Sequence, residues 1–207
     1  AVVLMTSATR LLAFAGLLFT VICTLVVAEE PHITHGPFLG HAAPKEAVVW
    51  ARFAEAGLYT LALTDSATGE PVGGPLSGLA GEAADYCVVW RATGLDADTA
   101  YTCTIAARDV IIEPGFGLRT APADDSSDPV VLGFGSCASD SRYPSQPIWG
   151  RIEEDGVETV VLLGDTPYID STELDVQRRR YREFYNVPEL AELLTRMPFY
   201  ATWDDHD

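Results

Sequence analysis

The sequence predicts an all-β sandwich followed by an α/β segment built on parallel strands. Three observations carry this. Short strand-like runs separated by turn residues fill residues 31–122. A polar stretch flanked by prolines, residues 121–129, then interrupts the chain. Beyond it the apolar pattern reads β-α-β-α-α-β, an order that calls for a parallel sheet with right-handed crossovers. The expected layout is therefore a sandwich over 31–122, a linker over 123–129, and the start of an α/β domain over 130–207.

The amino-terminal residues stand outside this scheme. Arg10 precedes residues 11–27, which contain no charge, and Val26-Val27-Ala28 leads into Glu29-Glu30. A basic start, an apolar centre and small residues at the cut describe a secretory signal peptide over 1–28, with Met5 as the expected start. An uncleaved anchor is the competing reading, since the run is near the lower length for spanning. Either way the remainder is exported, to a secreted, periplasmic or extracellular location, with no stable membrane span after cleavage. Disulfides are then permitted. Of the four cysteines, removing Cys23 leaves Cys87, Cys103 and Cys137, an odd number.

In the first half, Ala47-Val48-Val49-Trp50-Ala51-Arg52-Phe53 and Leu58-Tyr59-Thr60-Leu61-Ala62-Leu63 read as strands. The second ends in the turn Asp65-Ser66-Ala67-Thr68-Gly69. Tyr86-Cys87-Val88-Val89-Trp90 is a third strand. In a fourth, Tyr101, Cys103 and Ile105 share one face, with Tyr101 placed as a tyrosine corner. Cys87 is expected to point out and Cys103 in, without a disulfide. The spacing of Leu95, Thr99 and Tyr101 resembles a fibronectin type III domain.

In the second half, Val130-Val131-Leu132-Gly133-Phe134 reads as a buried strand. Residues 146–155 read as a helix with Ser145 as N-cap, Pro147 in the first turn and Gly156 as its stop. Residues 159–163 form the next strand, apolar enough to be buried. Residues 174–185 and 188–196 are helical, the latter with Leu190, Leu193 and Leu194 on one face. Residues 199–203 form the last strand.

Composition excludes some functions. Hydrophobic residues make up 48% of the 207 residues, enough for a core. A net charge of −17 argues against nucleic acid or anionic membrane as a partner, both of which need a basic face.

Each strand of the second half ends in a polar cluster: Gly135-Ser136-Cys137, Gly164-Asp165-Thr166-Pro167-Tyr168, and Asp204-Asp205-His206-Asp207. In an open α/β sheet, ligands gather at the carboxyl ends of the strands, so the three clusters are expected to converge. Cys137, Asp165, Tyr168 and Asp205 supply thiolate, phenolate and carboxylate. Thiolate with phenolate favours a strongly acidic ion such as Fe(III). Further carboxylates suit a second, harder cation.

Gly-Ser-Cys, Gly-Asp-x-x-Tyr and Trp-Asp-Asp-His-Asp, in this order, resemble the PhoD-type alkaline phosphatases, a branch of the calcineurin-like metallophosphoesterases. The resemblance implies a fibronectin III-like sandwich ahead of an α/β metallophosphoesterase domain, of which this chain holds the first half. It also implies Fe(III) and Ca²⁺ as cofactors, and a phosphate ester, monoester or diester, as substrate. Cys137 and Tyr168 would bind iron, Asp165 would bridge, Asp205 would bind calcium, and His206 would approach the scissile phosphate or its leaving oxygen. A purple acid phosphatase also uses Gly-Asp-x-x-Tyr, but with Asp in place of Cys137. The remaining ligands would come from later strands, so these residues alone are expected to be inactive. A secreted sandwich-domain binding protein with a degenerate second half is the alternative.

The other polar residues have plainer readings. Asp170 is expected to cap the following helix, and Asp204 and Asp207 are as suited to structure as to liganding. His32, His35 and His41 are expected on the surface. Arg178-Arg179-Arg180 with Arg182 reads as a solvated helix face.

Overall fold

A computed structural model of the chain describes residues 30–207; the expected signal peptide lies outside them. Among the described residues no helix is long and apolar enough to cross a membrane. Pro31–Asp207 form one compact unit.

The strands β1 (Ile33–Ala43), β2 (Glu46–Phe53), β3 (Gly57–Asp65), β4 (Leu76–Ala80), β5 (Cys87–Thr93), β6 (Ala100–Ala107) and β7 (Val110–Arg119) come first. They form two antiparallel sheets, ordered β1-β2-β5 and β4-β3-β6-β7. This is a fibronectin III-like sandwich, and the inward alternation of each strand explains it. Ala47, Val49, Ala51 and Phe53 of β2 are buried, as are Val88, Trp90 and Ala92 of β5 and Tyr101, Cys103, Ile105 and Ala107 of β6. Phe53 stacks on Tyr59 at 3.5 Å between ring centroids, and Trp90 meets Phe53 edge-on. The tyrosine corner forms as expected: the Tyr101 hydroxyl accepts a hydrogen bond from the Asp96 amide at 2.8 Å. Cys103 is buried, Cys87 is half-buried, and both are free thiols. Strands β1, β4 and β7 escape pattern reading because Gly36-Pro37, Gly78 and Pro114-Gly115 interrupt their alternation.

The second half follows as β8 (Leu132–Gly135), α1 (Ile148–Glu154), β9 (Thr159–Leu163), α2 (Leu174–Tyr185), α3 (Pro188–Arg196) and β10 (Phe199–Thr202). The sheet order is β10-β9-β8 and both pairings are parallel. Val160 and Leu162 are buried in one core with Leu190, Leu193 and Leu194 of α3. The opposite face differs from the expectation of buried strands. Leu132, Phe134 and Leu163 are exposed, Phe134 at 76%, because the buried helix residues pack with Val160 and Leu162 instead. Helix α1 begins at Ile148 with Pro147 at its N-cap position and no side-chain cap. Ser145 instead donates its hydroxyl to Glu189 Oε1 at 3.1 Å.

Strand β1 serves both cores. Phe38 packs with the α/β core and its neighbour Leu39 with the sandwich core, as alternation demands of consecutive residues. Phe38 also stacks on Trp50 of β2 at 5.3 Å and meets Tyr185 of α2 edge-on. Polar groups join the same elements. His35 is buried, not on the surface, with Nε2 3.1 Å from the Arg182 carbonyl. Arg182 and Arg52 both bond to Asp85, at 2.7 and 3.2 Å, and Arg178 donates to the Ala83 carbonyl. The arginine run of α2 is thus largely engaged in tertiary contacts rather than a solvated face. The cause is that the partners of Arg178 and Arg182 lie 95 and 97 residues away in the chain, beyond any local pattern.

Candidate metal centre

The three polar clusters meet at the carboxyl edge of the parallel sheet. Gly164 closes β9 with φ +90°, and a Cβ there would lie 2.5 Å from that of Asp204. Only glycine lets the loops after β9 and β10 approach this closely. The Cys137 amide donates to the Gly164 carbonyl at 3.3 Å, which draws in the loop after β8. Cys137, Asp165 and Asp170 all take left-handed backbone conformations, with φ of 63°, 52° and 55°. Such conformations cost energy in non-glycine residues and persist where the surroundings hold them.

Asp207 supplies much of that hold. Its Oδ2 accepts the amides of Asp165 and Asp204 at 3.0 and 2.8 Å, and its Oδ1 accepts that of Thr166 at 2.9 Å. Of the two roles open to Asp207, the geometry assigns the structural one. Asp204 accepts the Asp205 amide at 3.0 Å.

Five side chains singled out from the sequence are brought together. Cys137 Sγ lies 3.6 Å from Asp165 Oδ2. Cys137 and Asp165 are the side chains that act most directly on the Tyr168 phenol. Its ring lies 5.0 Å from that of His206. Asp165, Asp205 and His206 each offer a ligand atom, all within 4.8 Å of one another. Asp165 is buried, and its Oδ1 has no hydrogen-bond partner. A buried carboxylate oxygen without a donor costs free energy unless a cation or water meets it. Thiol, phenol, carboxylates and imidazole gathered at Asp165 therefore form a donor set that fits a cation. Beside Cys137 lies a cavity of about 550 Å³, bordered by Phe134, Tyr143, Ile148 and Trp149.

The Cys137 side chain, with burial and Asp165, raises the Tyr168 pKa. The phenol keeps its proton in this state; a cation alongside would act in the opposite direction. His206 is also raised, first by its hydrogen bond to Asp170. The two meet through Nδ1 and Oδ1 at 2.5 Å, and the His206 carbonyl accepts the amides of Ile169 and Asp170. Asp170 is therefore the partner of His206 and not a helix cap; Glu173 takes the N-cap position of α2 without a side-chain bond. With Nδ1 engaged, Nε2 of His206 lies 3.9 Å from Asp205. Sequence reasoning missed Asp170 in this role, and also Asp140 and Arg180, which bond to each other. No local spacing marks those pairs.

No protein-family model and no curated protein sequence matches the chain. Solved structures do. The chain superposes on the structure of PhoD with a TM-score of 0.70 at 20% identity, covering 84% of this chain and 39% of that one. It superposes on purple acid phosphatase PPD1 from yellow lupin (Lupinus luteus) seeds with a TM-score of 0.58 at 12% identity, covering 81% of this chain and 34% of that one. The chain thus spans well under half of either structure. Over most of its own length, it has the fold of the corresponding part of PhoD and of the lupin purple acid phosphatase.

Proposed function

We propose that the chain is part of an exported, metal-dependent phosphatase or phosphodiesterase that hydrolyses phosphate esters. The observation that carries this reading is the convergence of Cys137, Tyr168, Asp205 and His206 on Asp165, a buried carboxylate with one unpartnered oxygen. By resemblance to PhoD-type enzymes, Cys137 and Tyr168 would hold Fe(III), Asp205 would hold Ca²⁺, and Asp165 would serve both. The two oxygens of Asp165 suit that role, since Oδ2 faces Cys137 and Oδ1 is unengaged. Bound there, the cations would supply Lewis acidity toward phosphoryl oxygens. His206, whose Nδ1 bonds to Asp170, would approach the scissile phosphate or its leaving oxygen through Nε2.

The uncovered apolar face of the parallel sheet supports the view that further elements complete the domain. Parallel sheets are normally covered on both faces, yet Leu132, Phe134 and Leu163 here face solvent. Within this reading the net charge of −17 favours a small phosphate ester over nucleic acid as substrate.

The test is metal analysis of the full-length gene product with assays on p-nitrophenyl phosphate and bis(p-nitrophenyl) phosphate. Wild-type protein should carry iron and turn over at least one ester. Cys137→Ala and Asp165→Ala should lose both properties. Undiminished turnover in the two variants would end the proposal.

A further inference from the structure

We propose that Arg180 is a positioning residue that locks the loop bearing Cys137 to the loop bearing Tyr168. Its importance for cation binding rests on the metallophosphatase reading; the coupling of the loops does not.

Arg180 projects from α2 and bonds to both loops. Its Nη1 and Nη2 bond to Asp140 Oδ2 and Oδ1 at 3.2 and 2.7 Å, a two-pronged pairing. Asp140 lies three residues beyond Cys137 in the loop after β8. The Nε of the same guanidinium donates to the Tyr168 carbonyl at 3.2 Å, in the loop after β9. Glu183 takes a further contact from Nη1 at 2.5 Å. The side chains of Arg180 and Asp140 are only 15% and 12% exposed. Neighbouring Arg179 is 59% exposed and reaches only Glu183, at 3.7 Å.

The planar guanidinium can serve a carboxylate and a carbonyl at fixed angles at once, and a lysine ammonium cannot. This matters because Cys137 and Asp165 hold left-handed backbone conformations that need external support. Asp207 supports the Asp165 side of the site. Arg180 supports the Cys137 and Tyr168 sides together. Outer partners of this kind tune affinity by orienting the ligands rather than touching the cation.

The experiment uses the full-length protein with Arg180→Lys, Arg180→Gln and Asp140→Asn, and Arg179→Gln as control. Two quantities are read. One is amide hydrogen exchange at residues 136–143 and 165–170 without added metal. The other is Fe(III) affinity, followed by the thiolate- and phenolate-to-iron absorption. The three test variants should exchange faster in both loops and bind Fe(III) about 10–100-fold more weakly. Arg179→Gln should match wild type, and the Arg180→Gln/Asp140→Asn double variant should lose no more than Arg180→Gln alone. A lowered Tm with unchanged loop exchange and unchanged affinity would make Arg180 merely structural and overturn the inference. Absence of an iron band in wild type would instead defeat the metallophosphatase reading, while faster exchange in Arg180→Lys would still uphold the coupling.

Discussion

The Asp207 carboxylate accepts the Asp165 backbone amide at 3.0 Å, so the loop after β10 holds the residue at the centre of the site. The same carboxylate also holds Thr166 and Asp204. Asp207→Asn turns one acceptor oxygen into an NH₂ group facing N–H donors. Hydrogen bonds to a charged group contribute about 1.5–3 kcal/mol each, so the variant should lose about 2–4 kcal/mol. Urea unfolding at pH 7 gives the size, and faster exchange at residues 164–166 locates the effect.

Asp165 presents the opposite case. Its Oδ1 is buried without a partner, so the carboxylate is a liability in the absence of a cation. Asp165→Asn should leave the metal-free protein as stable as wild type, or stabilise it by about 1–2 kcal/mol. The cost should appear only on adding metal. A cation at one hundred times its dissociation constant raises wild-type stability by about 2.7 kcal/mol, and the variant should gain little. Thermal unfolding with and without Fe(III) separates the two effects.

The contrast between these residues marks what a sequence can reveal. Helices over Leu174–Tyr185 and Pro188–Arg196 and the strand over Thr159–Leu163 coincide with their sequence patterns, because local periodicity dictates them. The meeting of Cys137, Asp165, Tyr168, Asp205 and His206 was equally legible, since parallel strands gather their carboxyl ends. The supports of the site were not. His206 with Asp170, and Asp140 with Arg180, are pairs 36 and 40 residues apart whose pairing no local spacing marks. His35 failed for the same reason, since its ring nitrogen meets the carbonyl of Arg182, 147 residues away. The exposed face of the parallel sheet also escaped notice, since apolar runs do not reveal whether both faces are covered.

His35 makes the junction between β1 and α2 sensitive to acid. Burial lowers its pKa, and the charges of Arg52 and Arg182 act in the same direction, outweighing the hydrogen bond to the Arg182 carbonyl and the weaker pull of Asp85. Below about pH 6.5, the ordinary value, the unfolded chain therefore binds more protons at this position than the folded one. The stabilising contribution is complete above that pH and is lost as pH falls toward the folded pKa. Urea midpoints measured from pH 7.5 to 5 should decline in wild type. His35→Gln should flatten that decline while costing some stability at pH 7.5.

Phe38 offers a test of whether the two cores unfold together. It is 1% exposed and packs in the α/β core, while Leu39 beside it packs in the sandwich core. Removing a buried phenylalanine side chain costs about 3–5 kcal/mol, and a leucine about 2–5 kcal/mol. Because the two residues are consecutive on one strand, neither core can release β1 without disturbing the other. Phe38→Ala and Leu39→Ala should each lower a single common transition. Tryptophan fluorescence, which includes Trp90 in the sandwich core and Trp149 in the α/β core, should coincide with far-UV circular dichroism in both variants. If Phe38→Ala split the curve, leaving the Trp90 signal at the wild-type midpoint, β1 would be an ordinary sandwich strand that only touches its neighbour.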